Sequence, residues 1–313
     1  MKKFGLVASI VAATLALAGS VVAQTYPSKP VRIIVPFAAG GAVDTLARLV
    51  GSKLSESLGQ PVIIENRPGA GGNIASDVVA KSAPDGHTIL LTTSGQALSP
   101  SLYRSLPYDA AKDLIPVTQL VASYLVLVAS PKVPVTSVKE LIALAKAKPG
   151  GLNYGSTGVG NPLHLTMEML KRAAGIDLVA VPYRGDAPLN AALIAGQVEV
   201  AVLPLATSRG NIEGGRLRGL AVTNAKRTAV LPDLPTIAEA AIPGFESSSW
   251  QGFFVPAGTP ADIVKRIQSL RARQATFGNE IVGSTPEQFA AVFKAEMAKF
   301  ARIVEEAKIP KLD

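Results

Sequence analysis

The sequence predicts an α/β protein built as two lobes. Two observations carry that prediction. Short β-branched runs alternate with amphipathic helical windows along the chain, and 313 residues are more than one open sheet with its covering helices ordinarily holds. With 48% apolar and 17% charged residues the chain can bury a large core, so it is neither disordered nor fibrous.

The elements follow in order. Val31–Val35 reads as a strand, and Val43, Leu46, Ala47, Val50, Leu54 and Leu58 then recur at helical spacing up to Gly59. Strand signals return at 61–65, 88–92 and 124–128, with helical windows at 74–83 and 138–148. After Gly150-Gly151 come a short strand at 152–154, a helix from Asn161, a strand at 178–181, a helix through 187–195 and a strand at 198–203. Two long helical windows, 261–273 and 285–307, close the chain. Strands alternating with helices predict mostly parallel sheets covered on both faces.

The amino terminus reads as a leader. Met1-Lys2-Lys3 is a positive start, Phe4–Leu17 is almost wholly apolar, and small residues precede Gln24, which predicts a secretory signal over 1–23 cleaved after Ala23 and a periplasmic mature protein. The apolar run is short for a membrane span and lacks a basic stop. The formal charge of +8 comes from scattered Lys and Arg without interleaved aromatics, so a solvated surface with mild attraction for small anions is expected rather than nucleic-acid binding. There is no cysteine, which removes disulfides, thiolate nucleophiles, iron–sulfur clusters and lipid-anchored cysteine. No cofactor and no metal site are expected.

The usual catalytic signatures are absent: no phosphate-binding G-x-x-x-x-G-K-[ST], no strand-borne G-x-G-x-x-G, no H-E-x-x-H and no G-x-S-x-G. Of the two histidines, His87 follows the Pro84-Asp85-Gly86 turn and is expected on the surface. His164 lies in the densest signal of the chain, Gly155-Ser156-Thr157-Gly158-Val159-Gly160-Asn161-Pro162-Leu163-His164. Asn161 is a good N-cap and Pro162 a good first helical residue, so these glycines lie between a strand and the positive end of a helix. Backbone N–H groups there can bind an anion, assisted by the Ser156 and Thr157 hydroxyls. Pro36-Phe37-Ala38-Ala39-Gly40-Gly41-Ala42-Val43-Asp44 has the same construction, which would give each lobe one such junction facing a shared cleft. Tyr183, Arg184 and Gly185 end a third strand, where Arg184 could pair with a carboxylate or form a surface turn with Asp186. Ser94 could add a hydroxyl. The loop Asn66–Asn73 reads as architectural. Ser156 and His164 could instead form a hydrolase pair, but no acid is placed to orient the imidazole.

Several motifs resemble one family. Tyr26-Pro27-Ser28-Lys29-Pro30-Val31-Arg32, Gly40-Gly41-x-x-Asp44, Glu65-Asn66-Arg67-Pro68-Gly69-Ala70-Gly71-Gly72-Asn73-Ile74 and Pro84-Asp85-Gly86 fall in the order seen in the Bug family, the extracytoplasmic receptors of tripartite tricarboxylate transporters. The order continues through Leu106-Pro107-Tyr108-Asp109, Tyr154-Gly155-Ser156 with His164-Leu165, Pro182-Tyr183-Arg184-Gly185, Leu231–Thr236, Trp250-x-Gly252 and Pro256–Pro260. The resemblance implies a type II periplasmic-binding-protein fold with a two-crossing hinge. Candidate crossings near 121–123 and 220–222 divide the chain into a first lobe over 24–121 and 221–313 and a second over 122–220.

The resemblance also implies a protein that closes on a small organic carboxylate, with di- or tricarboxylates favoured, and hands it as a monomer to membrane permease subunits. A sensing role toward a membrane signalling partner is the alternative. It assigns ligand-binding roles to Ala39, Gly40, Gly41, Asp44, Ser156, Thr157 and His164, beside the candidates Phe37, Ser94, Tyr183, Arg184 and Gly185, and no catalytic residue. Two departures from the family stand out. Leu203-Pro204 replaces a frequent acidic residue, which argues against an amino-acid guest, and the chain is shortened between Gln268 and Gly283.

Overall fold

The structure is a computed structural model that describes residues 26–158, 161–269, 279–306 and 309–313. The expected leader over 1–23, Val159-Gly160 and most of the stretch expected to be shortened lie outside the described residues. Among those described, no helix is long and apolar enough to cross a membrane.

The first lobe begins with strand β1 (Val31–Val35), helix α1 (Ala42–Leu58), β2 (Val62–Asn66), α2 (Asn73–Ala80), β3 (Thr88–Thr93), α3 (Gly95–Leu102) and β4 (Leu114–Ser123). The chain then passes to the second lobe: β5 (Leu125–Ala129), α4 (Val138–Ala147), β6 (Asn153–Ser156), α5 (Pro162–Ala174), β7 (Val179–Pro182), α6 (Asp186–Ala195), β8 (Val200–Pro204), α7 (Leu205–Glu213), β9 (Arg218–Val222) and α8 (Ile237–Ala240). It returns with β10 (Ser249–Pro256), α9 (Ala261–Ser269), β11 (Asn279–Ile281) and α10 (Pro286–Glu306).

These strands form two sheets, one six-stranded in the order β11-β4-β10-β3-β1-β2 and one five-stranded in the order β7-β6-β8-β5-β9. Each is covered on both faces, as the pattern of β1 shows. Ile33 packs with Val43, Leu46 and Val50 of α1, whereas Ile34 points the other way, toward Ala75 and Val79 of α2 and Phe289 of α10. In the second sheet Leu127 joins Leu141 of α4 and Met167 of α5, and Val128 joins Leu189 and Leu193 of α6. Each such buried aliphatic side chain contributes about 1.5–3 kcal/mol of transfer free energy.

Neither sheet is mostly parallel. β1 runs parallel to β2 and β3, and β6 to β7 and β8, but β10 is antiparallel to β3 and β4, and β5 is antiparallel to β8 and β9. The hinge is the reason. β4 and β5 are separated by Tyr124 alone, so the chain continues almost straight from one sheet into the other and enters against the local strand direction. The return crossing also lies later than 220–222. β9 pairs with β5 in the second sheet, and the chain stays with that lobe: Val222 N–H donates to Pro235 O at 2.9 Å, Phe245 packs in the α4/α5 core, and Ser247 N–H donates to Thr223 O at 2.8 Å. The chain re-enters the first sheet only at Ser249, opposite Ser123.

His87, expected on the surface, is buried because the amino-terminal segment covers it. Its Nε2 accepts the Ser28 N–H at 3.2 Å, and the Tyr26 ring meets it edge-on.

Candidate functional site

Parallel strands that share a direction bring their carboxyl ends to one rim. In the first sheet this rim carries the loops after β1, β2 and β3; in the second, those after β6, β7 and β8. β10 runs the opposite way, so its amino end lies at the same rim, with Gln251 opposite Thr93. The two rims face each other across the hinge and touch. Ala38 N–H donates to Arg184 O at 3.0 Å. Gly185 permits that approach: its φ is +148°, and a Cβ there would stand 3.2 Å from the Ala38 nitrogen.

The first loop is built around Asp44. Its carboxylate accepts from Gly40 N–H at 2.9 Å, from Asn66 Nδ2 at 3.0 Å and from both Arg48 Nε and Nη2 at 3.0 Å. Burial pushes the Asp44 carboxyl up, yet these hydrogen bonds together hold it below the ordinary carboxylate range. Asp44 therefore shapes the loop rather than facing the cleft. Gly41 is the N-cap of α1 and supplies no side-chain cap. The adjacent Ala42 N–H finds its acceptor in the other lobe: Asp186 Oδ2, at 2.9 Å. Asp186 is the first residue of α6 and is 8% exposed, not a surface-turn partner of the exposed Arg184. Burial pushes its carboxyl up to about 6, and the Ala42 N–H only partly offsets this.

The second loop is organised differently. Asn161 Oδ1 accepts the Leu163 and His164 N–H groups at 2.9 and 3.0 Å, and Asn161 Nδ2 donates to Thr157 Oγ1 at 2.8 Å and to Gly158 O. The two N–H groups at the start of α5 are thereby capped. His164 is buried at 9% exposure with its ring 6.1 Å from that of Tyr154, and burial pulls its imidazole below the ordinary value, while Glu168 acts in the opposite direction. The Ser156 hydroxyl is fully buried and has no hydrogen-bond partner among the described residues. Ser94 is buried too, with its hydroxyl 2.9 Å from that of Ser249.

Between the lobes lies a cavity of about 30 Å³ whose lining includes Phe37, Ala42, Val43 and Thr93 of the first lobe and Thr157, Asn161, Pro204 and Asp186 of the second. Ser123, Leu125, Ser249 and Gln251 from the crossing strands complete it. A groove of about 510 Å³ adjoins it along Phe37, Gly69–Gly72, Thr157, Tyr183 and Arg184. The structure thus places Phe37 and Thr157 at both spaces, and Tyr183 and Arg184 at the outer one. Gly40, Gly41 and Gly185 form the wall where the lobes touch. Asp44, Ser94, Ser156 and His164 sit behind the lining. Asn161 is the N-cap that the sequence predicts, here also part of the lining, whereas Asp186, Ser249 and Gln251 are lining residues that the sequence does not point to; among these three, only Asp186, one residue past the Gly185 turn, carries any signal.

Two α/β lobes on a double hinge, closing over a cavity at the strand ends, define the class of two-lobed binding proteins. A family model described as tripartite tricarboxylate transporter family receptor matches residues 46–307, and the chain belongs to that family. It is 36% identical over 312 residues to protein BugT of Bordetella pertussis, covering 96% of each chain. A solved structure of R. palustris Rpa4515 with adipate superimposes with a TM-score of 0.88 at 38% identity, over 92% of this chain and all of that one. MatC from Rhodopseudomonas palustris with bound malate gives 0.85 at 30% identity, over 89% of this chain and all of that one. The fold is that of the periplasmic binding proteins, and the family is one of solute-binding receptors.

Proposed function

We propose that this protein is a periplasmic receptor whose lobes close on a small organic carboxylate, of the di- or tricarboxylate class, and that as a monomer it presents the guest to permease subunits in the membrane. One observation carries the reading. The uncapped amino end of α1 already holds a carboxylate, that of Asp186, delivered from the opposite lobe. A helix terminus contributes about 0.3–1 kcal/mol to a bound anion, and each hydrogen bond to a charged group about 1.5–3 kcal/mol. A micromolar site needs about 8 kcal/mol net. One lobe alone falls short of that, so a guest must draw on both, which happens only when the cleft closes.

The relatives that bind adipate and malate support a carboxylate guest. A binding role rather than hydrolysis is supported by Ser156, whose buried hydroxyl is hydrogen-bonded to no base among the described residues. Melting the mature protein against a panel of carboxylates is the test: a guest at 100 times its Kd adds about 2.7 kcal/mol to stability. If no carboxylate raises the melting temperature while other solutes do, the ligand class is wrong.

A further inference from the structure

Asp186 stands where a guest's carboxylate would be expected. Its Oδ2 holds the Ala42 N–H at 2.9 Å, while its Oδ1 has no hydrogen-bond partner among the described residues. Gln251 lines the same cavity, and its Oε1 is buried and likewise without a partner. Two residues that line one small space thus each carry an acceptor without a partner, Asp186 Oδ1 and the buried Gln251 Oε1. A guest bearing only carboxylates would set a second anion beside Asp186 and leave both acceptors unmatched, an arrangement that a dry cavity penalises.

We propose that Asp186 sets the specificity of the cleft: the guest is a carboxylate that also bears a hydroxyl or ammonium donor next to its carboxylate group, and that donor binds Asp186 Oδ1. This rests on the carboxylate-receptor reading and narrows it. The missing acidic residue at Leu203-Pro204 is then made good from another strand end, since Pro204 and Asp186 line the same cavity.

The charged groups around Asp186 do not supply the donor. On α1, Asp44 and Arg48 are paired with each other. Arg184, two residues before Asp186, is exposed in the outer groove, and the cavity-lining residues at the start of α5, Pro162 and Leu163, carry no charge. No charged side chain moves the Asp186 carboxyl, whose rise to about 6 comes from burial. A plain dicarboxylate can enter only with a proton on Asp186, so above that value its affinity should fall by up to about tenfold per pH unit.

The test is calorimetric titration of the mature protein and of Asp186→Asn at pH 6.5 and pH 8 with matched probes: succinate against malate and aspartate, and adipate against 2-aminoadipate. In the wild type at pH 8 the donor-bearing member of a pair should bind about tenfold or more tighter. Asp186→Asn should close that gap to about threefold by gaining affinity for the plain acid, and should lose the pH dependence. Malate against aspartate separates the hydroxyl from the ammonium.

Equal binding of plain and donor-bearing probes by the wild type at both pH values, or a gap that survives in Asp186→Asn, overturns the proposal and leaves the receptor reading standing. If neither variant binds any probe, the receptor reading falls and the proposal with it. Should Asp186→Asn fail to fold, the wild-type pH series decides: proton uptake by Asp186 should make the plain acid gain on its donor-bearing partner between pH 8 and pH 6.5, and an unchanged ratio overturns the proposal.

Discussion

In the first lobe the chain enters α1 through Gly40 and Gly41; in the second it enters α5 through Thr157 and Asn161. Both junctions follow a strand, are rich in glycine and open a helix, and in sequence they differ chiefly in the residue before the helix, Gly41 against Asn161. In the fold that difference sets them apart. Gly41 has no side chain with which to cap the Val43 and Asp44 N–H groups, and the Ala42 N–H ahead of them takes a carboxylate from across the cleft. Asn161 caps Leu163 and His164 itself and ties Thr157 into the loop. Of these two helix ends, the one whose N-cap residue has no side chain is the one that takes an acceptor from the other lobe.

The contrast can be broken by giving the first loop the second loop's cap. Gly41→Asn has an ordinary φ of −82° to work with, but its Cβ would stand 3.2 Å from Asp186 Oδ2, and its amide would cap the Val43 and Asp44 N–H groups and crowd the approach to the Ala42 N–H. Carboxylate affinity should fall about a hundredfold, the equivalent of two charged hydrogen bonds at the low end of their range, by calorimetry, with the melting temperature held or raised.

Next in size is the cost of the buried acid itself. Its carboxyl rises from 3.8 to about 6 on folding, so the folded state binds the proton more tightly than the unfolded chain. The penalty is therefore absent below pH 3.8, grows between 3.8 and 6, and is complete above. Asp186→Asn should add up to about 3 kcal/mol at pH 8 and nothing at pH 3.5, read from urea unfolding at both pH values. Gain at low pH would mean that burial is not the cause.

Removing the second loop's cap is smaller. Asn161→Ala should cost about 1 kcal/mol in urea, within the 0.5–2 kcal/mol range for such caps, and loosen Thr157. Smallest is Arg184→Ala. This side chain is exposed in the outer groove, and its loss should change carboxylate affinity by about threefold or less, chiefly through a slower and less salt-sensitive association rate in stopped-flow.

How much of this was legible beforehand follows from the range of each interaction. β1 and α1 could be read because their apolar spacing and the closing Gly59 are local, and the Gly40-Gly41 junction stood out for the same reason. The Asp186–Ala42 contact spans 144 residues and has no local trace; Asp186 alone resembles any acidic residue after a glycine turn. Ser249 and Gln251 were missed because attention falls on strand carboxyl ends, whereas β10 is antiparallel and brings its amino end to the rim. The late return crossing was hidden because β9 continues the alternation without marking which sheet it joins.

The amino-acid order by itself determined the alternation of strands and helices, the two-faced burial of each strand and the glycine turns ahead of α1 and α5, since these depend on neighbours a few positions away. Only the tertiary structure decided which helix end stays open, which side chains wall the cavity and that an acid from one lobe answers an amide of the other. Those outcomes depend on two sheets meeting across a hinge, and the free energy of that meeting comes from groups the chain holds far apart until it folds.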